Sequence, residues 1–296
     1  MTTQSGGKHW PTHERISQVG EAKSYIDAII VHFNNPKQLT ETINVIRARV
    51  GSRVTVVDNS DDVELASAAY AIATRLGAHY LATPTNLGWG ASINYWLSEV
   101  VDQRPLMLVL AHDAKLKRFE EQVVISEISN KSVFAVSPEN AEQSTCYYSH
   151  SRFFWFSKNK PRKSSYEVPV GHSTAILFKT EKVKFLLFDE EFFIYGCESE
   201  IFLRAGGVGL KTIQTTSFQV RNPSTDSERR FVRTAFLVNS LYCASKHGGV
   251  CGLISRSIRI GFSIFRDARV EKLRFIIWAW KNPGKGFRTY RKTWFG

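Results

Sequence analysis

Between Asp27 and Leu110 the chain repeats one pattern: a short apolar run, a polar stop, then apolar residues at helical spacing. Ile26–Phe33 (IDAIIVHF) suits a buried strand and stops at Asn34-Asn35-Pro36. Leu39, Ile43, Ile46 and Val50 follow at helical spacing, with Gly51 as the stop. Arg53–Val57 predicts a second strand ending in Asp58-Asn59-Ser60, and Glu64–Leu76 a helix closed by Gly77. His79–Ala82 predicts a third strand and Ala91–Val101 a helix. Pro105–Leu110 predicts a fourth strand, ending in Ala111-His112-Asp113. Four strands alternating with three helices over short connections predict an α/β fold with a mostly parallel sheet covered by helices. Beyond them, 119–165 is less regular apart from a strand at Val133–Pro138. Val168–Phe178 reads as strand, Gly-His turn, strand, and Leu210–Val220 as a last strand.

In such sheets ligands bind beyond the carboxyl ends of the strands. Asn34, Asp58, Asn86 and Asp113 stand at those ends. Asn and Asp also favour turns, which explains each one alone better than all four together. Gly88 and Gly90 would let a backbone approach a ligand closely or serve a tight turn. Neither a GxGxxG nor a GxxxxGK[ST] phosphate loop occurs. Asp113 suits a hard cation such as Mg²⁺ or Mn²⁺, and equally a helix N-cap.

The stretch Phe188–Arg204 (FDEEFFIYGCESEIFLR) sets Asp189, Glu190, Glu198 and Glu200 among aromatic residues. After Gly196 the pattern turns helical, and Arg204 falls four residues from Glu200, on one helix face. A carboxylate at a helix start is stabilised and held stiffly, as a general base requires. The same pattern also fits a solvated helix start with ordinary capping acids.

The chain has 296 residues and 43% hydrophobic content, enough for a sizeable core. Residues 1–23 are polar and without periodicity, and are expected to be disordered. No apolar leader and no run of membrane-spanning length occurs, and the four cysteines show no metal or redox spacing, so reduced thiols in the cytoplasm are expected. The net charge of +12 is uneven. Residues 221–296 hold 16 Lys and Arg against 4 Asp and Glu, and the rest is neutral, with 23 of each.

Taken together, IIVHFNN (29–35), VTVVDNS (54–60), NLGWGASIN (86–94), LVLAHDA (108–114) and FDEEFFIYGCESEIFLRAGGVG (188–209) resemble family-2 glycosyltransferases of the GT-A fold. The rhamnosyltransferase-like branch is the nearest in pattern. The resemblance implies a catalytic domain over 24–220, and the charge count and helical spacing set a basic helical region over 221–296 apart from it. It places Phe33 and Asn34 beside a donor nucleotide, Asp58 at its base or ribose, and Asn86 and Gly88 on the border of the same pocket. Asp113 would stand at the last acid of a DxD-type motif, holding Mg²⁺ or Mn²⁺ against the diphosphate. Glu198 would be the general base, supported by Glu200, Arg204 and His172. Ala111 and Cys197 depart from the family, each replacing an acid.

The activity so implied is inverting transfer of rhamnose or another hexose from a nucleoside-diphosphate sugar to a hydroxyl acceptor. A cell-envelope glycan, a lipid-linked glycan or a protein would serve as acceptor. The C-terminal region mixes aromatic and cationic residues at helical spacing, which suits an anionic membrane surface or a helical cap with a solvated basic face. No nucleic-acid motif occurs and no nucleic-acid partner is expected. Two competing readings are a catalytically idle nucleotide-sugar binder and a nucleic-acid-binding protein.

Overall fold

In the computed structural model the described residues are 25–140, 147–149, 155–157, 163–171, 174–221, 229–267 and 272–294. The first units are β1 (Ile26–His32), α1 (Pro36–Val50), β2 (Arg53–Asp58), α2 (Val63–Arg75), β3 (His79–Ala82), α3 (Trp89–Glu99) and β4 (Leu106–Ala111). They follow the apolar pattern closely. α1 starts three residues before the first periodic Leu, because Pro36 is pre-set for a helix's first turn. β1 stops short of Phe33, where Asn34 turns into the left-handed region at φ 45°.

Next come β5 (Lys115–Phe119), α4 (Glu121–Ser129), β6 (Val133–Asn140), β7 (Tyr147–Ser149) and β8 (Trp155–Ser157). β9 (Ser165–Val168), β10 (Ala175–Lys179), α5 (Thr180–Leu186), a 3₁₀ turn (Glu190–Phe192), α6 (Cys197–Gly207) and β11 (Lys211–Arg221) complete the sheet region. The helix α4 falls in the stretch read as irregular; it is short and buries only Val124 and Ile128, too few for a clear period.

The sheet runs β3-β2-β1-β4-β10-β6-β11-β5, with β9 also on β11. Pairing is parallel from β3 through β4 and between β6 and β11. β10 enters antiparallel to both β4 and β6. The parallel character therefore belongs to the half of the sheet that the repeated pattern predicted. β9 and β10 do not form the expected hairpin: β9 pairs with β11, while β10 pairs with β4 and β6.

Alternation along β1 splits the core. Ala28 and Ile30 join Leu39, Ile43, Ala69 and Val124 on one face. Ile29 and Val31 join Ile93, Trp96, Ile201 and Phe202 on the other. The result is a helix–sheet–helix layering with α6 on the second face.

The basic region forms α7 (Arg229–Asp267), broken at Gly249, then α8 (Leu273–Lys281) and α9 (Phe287–Trp294). These helices share a third apolar cluster with the loop before α6, in which Phe193 packs with Ala235, Val238, Leu241, Phe275 and Phe287. Residues 1–23, read as disordered, and His172 lie outside the described residues.

Candidate active site

The ends of the four parallel strands meet along one rim, joined by hydrogen bonds between neighbouring segments. At the end of β4, the His112 amide donates to the Val31 carbonyl and its ring lies edge-on to His32, with centroids 5.4 Å apart. Burial holds the His112 imidazole below the usual histidine range. At the end of β1, His32 Nδ1 bonds Asp58 Oδ1 at 2.8 Å. Asn34 donates its amide to Ser60 Oγ at 2.9 Å and its Nδ2 to Asp61 at 2.6 Å. Phe33 stands exposed beside it.

Asp58 is buried, and its oxygens are taken by the protein. Oδ1 accepts from His32 and from the Ser60 amide and hydroxyl, and Oδ2 accepts from the Tyr80 hydroxyl. Burial works to raise its pKa, but these donors together hold the carboxyl below its ordinary value. Asp58, expected at a donor base or ribose, has a carboxylate that locks β1, β2 and β3 together at the rim.

Asn59 carries the rim onward. Its Nδ2 donates to Ser92 at 2.6 Å, and its Oδ1 accepts from the Leu87 amide at 3.1 Å. Asn86 Oδ1 accepts from the Gly88 amide at 3.1 Å, closing a turn on itself. Gly88, at φ 81°, faces protein rather than open space: an added Cβ would lie 2.1 Å from the Phe193 carbonyl oxygen. The Trp89 amide donates to that same oxygen at 2.8 Å. The glycine is required because one backbone docks on another there.

That contact brings the rim to the start of α6. Leu187, Phe193, Tyr195 and Gly196 all have positive φ, a concentration of strained backbone around the helix start. Asn239, on α7, holds it. Its buried side-chain amide donates to the carbonyls of Phe192, Ile194 and Tyr195 at 3.0, 2.7 and 2.6 Å, and its oxygen accepts from the Phe287 amide at 3.0 Å. Arg288 reaches from α9 to the carbonyls of Leu87 and Glu190. Arg204 supports the other end, donating to the carbonyls of Leu186 and Leu187.

Glu198 sits in the first turn of α6, where free amides and the helix dipole favour a negative charge. It is 9% exposed, so it is not the solvated capping acid that the bare pattern also allowed. Cys197 donates its thiol to Glu198 Oε2 at 3.1 Å. Burial first, and the adjacent carboxylate second, push that thiol well above its usual range. Where the resemblance has an acid, this chain therefore gives Glu198 a neutral hydrogen-bond donor instead of a second charge.

Glu200 has a different role. It is fully buried and meets Arg204 Nε and Lys246 Nζ at 2.7 Å each, with His247 at 3.5 Å. Burial opposes its charge, but His247, Arg204 and Lys246 bring its pKa down to about 2. Lys246 also reaches Asp189, which accepts from the Tyr242 hydroxyl at 2.7 Å. Glu200 is the tie between α6 and α7.

Asp113 lies half-buried on the β4–β5 turn, next to a cleft of ≈ 140 Å³ lined also by Gln38, Glu41 and Lys115. No group of three or more His, Cys, Asp or Glu that could hold a metal occurs among the described residues. One carboxylate fits a hard cation only where phosphate oxygens and waters complete its shell.

Asn239, Lys246, Arg288, His32 and Tyr80 were not flagged by the sequence. Asn239 left a trace there, a lone amide inside the apolar stretch Phe236–Leu241.

No family model matches the chain, and no curated protein does. Solved structures do. GalNAc-T7, with UDP, GalNAc and Mn²⁺, superposes with a TM-score of 0.59 at 12% identity, covering 74% of this chain and 47% of its own. This chain thus spans about half the length of that protein. The mannosyltransferase PcManGT from Pyrobaculum calidifontis, in complex with GDP-Man and Mn²⁺, gives 0.55 at 11% identity, over 86% and 78% of the two chains. Residues 1–349 of S. aureus TarS give 0.57 at 14% identity, again over 86% and 78%. At such identities the likeness is one of architecture: a central mixed sheet flanked by helices, the GT-A fold.

Proposed function

We propose that the protein is a glycosyltransferase that moves a sugar from a nucleoside-diphosphate sugar to a hydroxyl acceptor with inversion. The observation that supports it most is the placement of Glu198. It is a buried carboxylate at a helix start, on a strained segment braced from two sides, at the end of a hydrogen-bonded rim in a GT-A fold. Structures sharing the fold were determined with UDP or with GDP-Man.

In this reading Glu198 takes the acceptor's proton as its oxygen attacks the anomeric carbon. The nucleoside diphosphate leaves from the opposite face. Asp113 would hold Mg²⁺ or Mn²⁺, whose positive charge offsets that of the diphosphate when bound. Phe33 and Asn34 remain the donor-side candidates, because Phe33 is exposed at the rim. Glu200 and Arg204 act by positioning α6. Rhamnose or another hexose, a cell-envelope glycan or lipid-linked acceptor, and the cytoplasm as the setting complete the proposal.

The test measures transfer and hydrolysis across a panel of nucleotide sugars, with and without Mn²⁺. Glu198→Gln should lower turnover by about 10²–10⁴-fold while donor-induced thermal shifts persist. Full turnover in that variant would remove Glu198 from the role. Donor binding with no transfer by the unaltered protein would favour an idle nucleotide-sugar binder, a reading that the Ala111 and Cys197 departures already suggest.

A further inference from the structure

We propose that the outer face of the paired helices α7 and α8 is a docking surface for an anionic lipid bilayer. The inner face of the pair is ordinary core: Leu253 and Ile260 of α7 are buried in one cluster with Phe275 and Trp278 of α8. The outer face is also apolar. Val250, Ile254, Ile258 and Phe262 recur every four residues along α7, all exposed, Phe262 at 72%. Leu273, Ile277 and Trp280 recur at four and three residues along α8, Ile277 at 53% exposure. Trp280 Nε1 donates to Ser257 Oγ at 3.1 Å, which sets the two stripes side by side. Val101 and Phe185, also strongly exposed, lie outside α7 and α8. A ridge of this kind marks an interaction surface.

Charge selects the occupant. Between Arg229 and Lys292 the sequence holds fifteen Lys and Arg against only Asp267 and Glu271. Lys281, Lys285 and Lys292 are exposed at and beyond the end of α8. Exposed apolar side chains with cations around them match the headgroup and upper acyl region of an anionic leaflet. Among the described residues no helix is long and apolar enough to cross a membrane, so the pair would lie in the surface plane. A second copy fits less well, since two-fold pairing sets one cationic face against another. Nucleic acid also fits less well. The ridge is mostly aliphatic, and single-strand recognition relies on aromatic rings that stack on bases.

The proposal is independent of the sugar-transfer reading, and its test needs no substrate. The full chain is floated with vesicles of pure phosphatidylcholine and of phosphatidylcholine mixed equally with phosphatidylglycerol. Association with the mixed vesicles alone, weakened by salt, is expected. The combined variant Ile258→Ser, Phe262→Ser, Ile277→Ser alters only exposed positions. It should lower the bound fraction by roughly tenfold or more with an unshifted thermal melt. Lys281→Glu with Lys285→Glu should weaken association at low salt more than at high salt. Absence of association with mixed vesicles overturns the proposal, as does association that survives the triple serine variant. A dimer that dissociates in that variant would assign the ridge to a second copy instead. Binding to duplex DNA that displaces vesicles would assign the charge to nucleic acid.

Discussion

Asp58, at the rim, draws each of its donors from within 26 positions of chain, and they are strand ends and turns already adjacent in the sheet. The loop before α6 is held from 44 to 98 positions further on, by Asn239, Gly286, Arg288 and Thr289. The first cluster comes with the sheet itself. The second exists only once the basic helices have packed, so the posture of Glu198 is a property of the C-terminal region as much as of its own segment. The difference predicts unequal sensitivity: changes in the remote brace should disturb the start of α6, and changes around Asp58 should stay local.

The sharpest way to break this contrast is Gly88→Ala. Its Cβ would overlap the Phe193 carbonyl at a φ that disfavours any side chain, so about 4 kcal/mol of destabilisation is expected in chemical denaturation. An unchanged midpoint would mean that the two loops are not docked there.

Acid comes next. The folded-state pKa of Glu200 is depressed from 4.5 to about 2, so its stabilisation is present above pH 4.5 and fades as pH falls toward 2. Roughly 3 kcal/mol should disappear across that window, read as a falling melting temperature. Lys246→Met should flatten the slope by removing one partner, and an equally steep acid limb in that variant would discount the tie.

Asn239→Ala strips donors from three carbonyls of the strained segment and the acceptor of Phe287. About 2 kcal/mol is expected, together with faster amide exchange around 192–200. Stability loss without that local exchange would leave Asn239 as an ordinary buried amide. The smallest effect belongs to Tyr80→Phe. Asp58 keeps its bonds from His32 and Ser60, so about 1 kcal/mol is expected, with exchange at α6 untouched.

The repeated strand–helix units could be read from the sequence because apolar period and turn residues agree there, as along Ile26–His32 and Leu39–Val50. The Glu200–Arg204 pair could be read too, since helix geometry brings i and i+4 together. Other features were hidden. Whether Asp58 is free for a ligand depends on where Tyr80 and His32 end up, which is fixed by sheet pairing. That Gly88 packs against the Phe193 carbonyl, from a segment about a hundred residues on, is likewise fixed only by the fold. Lys246 reads as one more cation in a basic tail until its ammonium meets Asp189 and Glu200.

The brace on Tyr195 also carries a timing. Every strand of the sheet is translated before Asn239, Lys246 and Phe287 exist. A nascent chain that has reached Arg221 can assemble its strands while the segment bearing Glu198 still lacks its bonds to Asn239, Gly286 and Arg288. If the chain transfers sugar as proposed, that activity should therefore switch on late in synthesis, and a polypeptide truncated after β11 should fold in outline yet stay inert.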